Sequence, residues 1–297
     1  MSVTVRVPAK VNVQLAVGAA RADGFHDLAN VFLAVGLHDE VTATPADELR
    51  ITCEGPGADQ VPLDRTNLAA RAALALAERY GRDARVHLHI AKDIPVAGGM
   101  AGGSADGAAA LLACDTLWGT GASRDELLDI CAELGSDVPF SLVGGAALGT
   151  GRGEKLTSLE VGGAFHWVFA TAGRGLSTPA VFREFDRLGE GLDIPEPVAS
   201  EALLDALAAG DPDALAATVS NDLQPAALSL FPELADTLAA GRGAGALAGL
   251  VSGSGPTTAF LVRDAGEAEK VAGALRASGT CRTARVATAP AAGATVL

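Results

Sequence analysis

The sequence predicts an α+β protein built from two units, and three observations predict it. The chain has 297 residues, about twice the usual length of one domain. Apolar runs of period two and of period 3.6 follow one another without the regular βαβα alternation of a doubly wound sheet. A glycine-rich span, Gly144–Gly153, separates a mixed first half from a second half that opens on a new strand and then turns helix-rich. The units are therefore expected at residues 1–153 and 154–297.

The elements follow in order. Val3, Val5 and Val7 alternate, and after Pro8 so do Val11, Val13, Leu15 and Val17, which predicts a strand with Lys10, Asn12 and Gln14 on its polar face. Asn30–Val41 and Leu49–Cys53 read as strands. Thr66 or Asn67 caps a helix that stops at Gly81, and Arg85–Ile90 returns as a strand. Ser104–Trp118 reads as a helix. Ser123-Arg124-Asp125-Glu126 is a capping box for another that ends near Gly135. In the second half Ala164–Thr171 is a strand, Ser177-Thr178-Pro179 and Asp211-Pro212 are helix starts, and Pro225–Ala240 is a helical pattern. Strands near Gly249–Ser252 and Thr257–Val262, a helix ending near Ser278, and a strand Arg282–Thr288 complete the chain.

Composition narrows the function. Lys+Arg 22 against Asp+Glu 36 gives a net charge of −14, a poor match to a nucleic-acid backbone or an anionic membrane, so neither partner is expected. The longest uncharged stretch, Gly243–Val262, is divided by Ser252-Gly253-Ser254-Gly255-Pro256 and reads as two strands and a loop. No basic-then-apolar leader opens the chain, and a cytoplasmic protein is expected. Cys53, Cys114, Cys131 and Cys281 are scattered through apolar patterns, which suggests buried free thiols. His87 and His89 share a strand face, but two imidazoles without a third ligand read as structural, and no metal ligand is assigned.

The most informative segment is Ile94-Pro95-Val96-Ala97-Gly98-Gly99-Met100-Ala101-Gly102-Gly103-Ser104-Ala105-Asp106, between a strand and a helix. Glycines let successive backbone N–H groups approach an anion, and the helix N-terminus adds its dipole. The spacing is neither a Walker A loop nor GxGxxG. Pro8-Ala9-Lys10-Val11-Asn12, Gly135-Ser136-Asp137-Val138-Pro139-Phe140 and Ser252-Gly253-Ser254-Gly255-Pro256 accompany it in order along the chain. Together these blocks resemble the GHMP kinase superfamily. Ala22-Asp23-Gly24-Phe25-His26-Asp27-Leu28 and Asn221-Asp222-Leu223 are similar to the branch of it that reads a cytidine group.

The resemblance implies a domain like the second domain of ribosomal protein S5, a ferredoxin-like C-terminal domain, and an active site in the cleft between them. It implies transfer of the ATP γ-phosphate to the tertiary 2-hydroxyl of an erythritol unit that carries a cytidine diphosphate, in isoprenoid precursor synthesis. Mg²⁺ is expected with ATP. Other acceptors of the superfamily, mevalonate or homoserine, remain an alternative, as does a silent binding protein of the same fold.

Residue by residue, the resemblance makes Asp137 the general base and Lys10 its cationic partner. It gives Pro95, Val96, Ala97, Gly98, Gly99, Met100, Ala101, Gly102, Gly103, Ser104 and Ala105 to ATP. It gives Asn12, Phe25, His26 and Thr178 to the substrate, with Phe25 stacking on cytosine and His26 hydrogen-bonding it; Lys92, just before the loop, is assigned to the substrate as well and reads either as meeting the diphosphate or as a solvated strand-end charge. A chain with eighteen arginines and four lysines that places Lys10 and Lys92 beside motifs suggests a need for the compact ammonium. Three positions depart from the family's commoner form: Phe25 where tyrosine is usual, Ala105 for a second serine, and Gly107 for alanine. Phe25 keeps the π-face and loses a hydroxyl.

Overall fold

The computed structural model describes residues 2–96 and 98–297. The first unit opens on two long strands, β1 (Val3–Ala20) and β2 (His26–Pro45), followed by β3 (Arg50–Glu54), α1 (Leu68–Arg79) and β4 (Val86–Ala91). Then come α2 (Gly102–Trp118), α3 (Arg124–Leu134), α4 (Val138–Val143), and the hairpin β5 (Ala146–Thr150) and β6 (Lys155–Ser158). β1 and β2 run antiparallel and are joined by a tight turn in which Gly24 has φ +79°. That is left-handed backbone, which glycine adopts without strain. Asn67 caps α1 by accepting from Ala69 N, and Ser123 with Glu126 forms a complete capping box on α3.

The order of the first sheet is β12-β1-β2-β4-β3, where β12 (Thr295–Val296) is the C-terminal strand; β5 pairs with β2, and β6 pairs with β5. The helices cover one face. α2 is apolar nearly all round, so it is the buried one: Ala105, Ala108, Ala109, Leu111 and Cys114 are sealed. Gly107 belongs to this packing, since a Cβ there would stand 3.3 Å from Leu68 Cβ on α1.

In the second unit β7 (Phe165–Thr171) leads through α5 (Thr178–Leu188), α6 (Glu201–Ala209), α7 (Pro212–Ala216) and the two-residue β8 (Ser220–Asn221). The chain continues with α8 (Gln224–Leu230), α9 (Leu234–Gly243), β9 (Ala248–Val251), β10 (Thr258–Val262), α10 (Ala265–Ser278) and β11 (Thr283–Ala289). Its antiparallel sheet has the order β11-β7-β10-β9. Counted by their place in the chain those strands run fourth, first, third, second, with helices between first and second and between third and fourth, which is the ferredoxin-like arrangement.

Several expectations are corrected. Gly144–Gly153 is no linker: Ala146–Thr150 pairs with β2 and with β6, so a division at residue 153 falls inside a hairpin of the first sheet. Gly149 is there for close packing, since a Cβ on it would lie 2.7 Å from the Phe32 ring. Residues 295–296 also return to the first sheet, beside β1. The pattern Pro225–Ala240 is two helices, interrupted around Pro232, and α2 starts at Gly102, two residues before Ser104.

Candidate active site

A cleft of about 770 Å³ lies where β1, the β1–β2 turn, the glycine-rich loop, the start of α4, α5 and the Ser252–Pro256 loop converge. On β1, Lys10 and Asn12 point into it from the polar face of the strand. Lys10 is buried, and its Nζ donates to Asn12 Oδ1 at 2.6 Å. Asn12 in turn donates to Asn30 Oδ1 at 2.7 Å. Lys10 Nζ also stands 3.5 Å from Asp137 Oδ2. Asp137 occupies the position before α4 where a side chain often caps the helix, yet it makes no capping bond. Its carboxylate is turned to Lys10 and remains 32% exposed, so a proton donor in the cleft can reach it.

The opposite wall is the glycine-rich loop. Gly98, Gly99, Ala101, Gly102, Gly103 and Ser104 line the cleft, and α2 begins there with its free N–H groups. Gly99 has φ +71°, and a Cβ on it would lie 2.2 Å from Ser252 O. The hydroxyl of Ser252 donates to Gly99 O at 3.0 Å, so the loop is seated on the Ser252–Pro256 segment. Asn221 fixes that segment by donating to Val251 O and Gly253 O, each at 2.7 Å. Ala101 is the one non-glycine residue with positive φ among those described, at +60°, backbone strain of the kind found at ligand clamps. Met100 and Ala105, expected at the nucleotide, are buried with their side chains in the core, and Pro95 and Val96 lie outside the cleft wall. Ala97 lies outside the described residues.

At the other end Phe25, half exposed, lines the cleft, and Arg152 stands over its ring, 5.1 Å from the centroid. His26 is buried against Phe182, ring centroids 5.0 Å apart, and its Nε2 meets Asp186 Oδ1 at 2.8 Å. Thr178 lines the same wall, its hydroxyl 2.7 Å from that of Ser254.

Lys92 is where the structure departs furthest from expectation. It does not reach the cleft: its Nζ is buried beneath Gly102 and is held by Asp39 and, at 2.8 Å, by Asp106. A lysine at a strand end reads as solvated or ligand-facing from sequence; only the fold supplies two carboxylates 53 and 14 residues away. His87 and His89 both contact the Thr52 hydroxyl, at 2.8 and 2.9 Å. Burial pushes the Cys114 and Cys131 thiols up to about 12, which disfavours the thiolate.

Sequence reasoning missed Asn30, Arg152, Phe182, Arg183 and Asp186, all on the cleft wall. Thr178, Phe182 and Asp186 recur at intervals of four and share one face of α5, a signal that the sequence carried. Asn30 and Arg152 gave none, because each is brought in by a strand pairing.

Comparison with known proteins gives the family. The GHMP kinases N terminal domain matches residues 67–145, and the GHMP kinases C terminal domain matches residues 203–281. A 4-diphosphocytidyl-2-C-methyl-D-erythritol kinase of Streptomyces coelicolor is 83% identical over the whole of both chains. One of Thermobifida fusca is 58% identical, covering 100% of this chain and 98% of its own. The crystal structure of a 4-(cytidine 5'-diphospho)-2C-methyl-D-erythritol kinase superposes with TM-score 0.78 at 33% identity, covering 97% of this chain and 99% of that one. A homoserine kinase from Cytophaga hutchinsonii has TM-score 0.75 at 20% identity over 100% and 97% of the two chains, a likeness of fold alone. The glycine-rich cradle, the Lys10–Asp137 pair and the Phe25–His26 turn thus sit in a chain that belongs to the 4-diphosphocytidyl-2-C-methyl-D-erythritol kinase family of the GHMP kinases.

Proposed function

We propose that the protein transfers the γ-phosphoryl group of ATP to the 2-hydroxyl of 4-diphosphocytidyl-2-C-methyl-D-erythritol, in the non-mevalonate route to isoprenoid precursors. The observation that carries the reading is the Lys10–Asp137 pair, 3.5 Å apart, in one cleft with the N-terminus of α2 and the Phe25–His26 turn. Asp137 accepts the proton of the attacking hydroxyl as its oxygen bonds to phosphorus, and the bond from phosphorus to the bridging oxygen of ADP breaks. Lys10, held by Asn12, stabilises the charge on the transferring group. Gly98–Ser104 supplies N–H groups to the polyphosphate and fits it, because Gly103 leaves open space where a Cβ would meet only Leu68 Cδ1 at 3.8 Å.

Phe25 and Phe182 offer aromatic faces for a base, and His26 a ring nitrogen. Mg²⁺ supplies neutralisation of phosphate charge, and in our reading it enters bound to the nucleotide. Among the described residues no three acidic, imidazole or thiol side chains converge to hold it. No helix among them is long and apolar enough to cross a membrane, and we place the reaction in the cytoplasm. The lobes that close on the cleft divide, in our reading, after Ser158.

The test is ADP release measured with the cytidine diphosphate substrate, mevalonate and homoserine in parallel. Turnover with the first alone is expected. Turnover with mevalonate or homoserine, and none with the first, overturns the acceptor assignment and leaves a kinase of another specificity.

A further inference from the structure

Beneath the glycine-rich loop lies a cluster that the reaction does not use. Lys92 directly follows β4, Asp39 lies on β2 and Asp106 on the second turn of α2; their side chains are 2%, 0% and 4% exposed. The three brace the loop from both sides. Asp39 Oδ1 accepts from Asp93 N at 2.6 Å and Ile94 N at 2.9 Å, where the loop leaves β4. Lys92 Nζ lies 3.2 Å from the place a Cβ of Gly102 would occupy, directly under the N-terminus of α2.

The charges do not balance. Two carboxylates and one ammonium, all ionised, would leave one uncompensated negative charge in a dry interior, an arrangement that is strongly disfavoured. The hydrogen bonds carry the same imbalance. Asp39 is satisfied through both oxygens, whereas Asp106 Oδ2 accepts from Lys92 and Oδ1 is sealed with no partner. An ionised carboxylate has no donor to offer. A protonated one does, and Asp39 and Asp106 both accept from the one Lys92 ammonium. One proton on Asp106 therefore cancels the excess charge, and a carboxylic acid leaves less charge stranded on the sealed Oδ1 than a carboxylate does.

We propose that the Lys92–Asp39–Asp106 cluster holds one proton, on Asp106, and that this proton, by keeping the cluster neutral, lets the loop above it accept a polyphosphate. The inference rests on the reading of Gly98–Ser104 as the ATP phosphate site and adds to it a positioning group that never touches the ligand. Loss of the proton puts a negative charge beneath the N–H groups that must meet phosphate, with little water between to screen it. The charged groups nearest Asp106 are Lys92, just after β4, and Asp39 from β2, and the Cys53 thiol of β3 is close enough to feel its charge, while α1 contributes apolar Leu68 beside Gly107. Burial pushes the Asp106 carboxyl up to about 8, Lys92 opposing and Asp39 adding. Burial also pulls Lys92 down, but the two carboxylates outweigh it and its ammonium is held above the usual lysine range.

The experiment is ATP affinity by calorimetry from pH 6 to pH 10 on the full chain, for wild type, Asp106→Asn and Asp106→Ala. Wild type is expected to lose roughly tenfold in affinity across the alkaline range, one decade being about the effect of a single nearby charge. Asp106→Asn, neutral and still a donor, keeps the pH 7 affinity and flattens that fall, whereas Asp106→Ala, which removes the group entirely, binds less well at pH 7. If Asp106→Asn loses as much as Asp106→Ala at pH 7, or keeps the wild-type alkaline fall, the proposal is overturned. A wild-type-minus-Asn infrared difference spectrum at pH 7 gives a readout independent of the variant's affinity. The carbonyl stretch of a protonated acid is expected, and a carboxylate band in its place overturns the proposal. A folded wild type that binds no ATP at any pH overturns the phosphate-loop reading itself, and this inference with it.

Discussion

Lys10 and Asp137 face each other at 3.5 Å across the floor of the cleft, one from β1 and the other from the start of α4, 127 positions along the chain. The distance is longer than a hydrogen bond. Lys10 spends its short contact, 2.6 Å, on Asn12, and so stands beside Asp137 without sealing the carboxylate. An acid held in this way keeps a free lone pair for an incoming hydroxyl while remaining in the field of a cation.

Asp137→Asn is accordingly expected to lower kcat by roughly 10²-fold or more, the usual size of a general-base effect, with ATP affinity and melting temperature near wild type. Lys10→Ala is expected to lower kcat more than it weakens ATP binding, because its charge matters most as the phosphoryl group transfers. Near-normal turnover in Asp137→Asn removes that residue from the mechanism.

Two glycines of the loop separate folding from binding. Gly99→Val forces a branched side chain into φ +71° with its Cβ 2.2 Å from Ser252 O, and a loss of about 1–3 kcal/mol in a urea melt is expected from backbone strain alone. Gly103→Val has no such clash, so it is expected to fold and to bind ATP more weakly because its side chain stands among the N–H groups. Unchanged ATP affinity in a folded Gly103→Val means that the loop is only structural.

Phe25→Ala is expected to raise KM for the cytidine substrate by about 1–3 kcal/mol of lost stacking while ATP affinity holds. Phe25→Tyr is expected to stay within a few-fold of wild type. Asp186→Ala frees Nε2 of His26 and with it the choice of which ring nitrogen carries the proton. The expected result is reduced preference for cytidine over uridine substrate, read as a ratio of kcat/KM. An unchanged ratio makes Asp186 a surface contact.

The buried cluster also sets a pH dependence of stability. Asp106 keeps its proton in the folded state up to about pH 8 against an ordinary value of 3.8, so between those limits the folded chain binds one more proton than the unfolded. Its contribution therefore falls as pH rises through that window. Lys92, raised, contributes stability that is complete below the ordinary lysine value and lost as pH passes its folded one. Urea melts at pH 5 and pH 8 are expected to show Asp106→Asn gaining on wild type at the higher pH, and an equal gap at both sets aside the protonated acid.

Much of the architecture was legible because it is local. The alternation of Val11, Val13, Leu15 and Val17 is what a strand buried on one face requires, and Ser123 with Glu126 forms the cap that their spacing announces. Strand β5 was hidden because its one glycine, Gly149, answers to the Phe32 ring on another strand, and glycine reads as a break when that ring is out of view.

The candidate site divides along the same line. The sequence by itself pointed to the glycine-rich loop, to Lys10 and Asp137 and to the Phe25–His26 turn as candidates, because each lies in a short run that resembles a motif of the family. Only the tertiary structure decided what those groups face. Arg152 reaches Phe25 from the β5–β6 turn, Asp186 meets His26 from α5, and Lys92 lies under the loop rather than in the cleft because Asp39 and Asp106 are folded around it. An ammonium at a strand end takes the nearest carboxylates that burial leaves without water, and which carboxylates those are is fixed by strand pairing and helix packing.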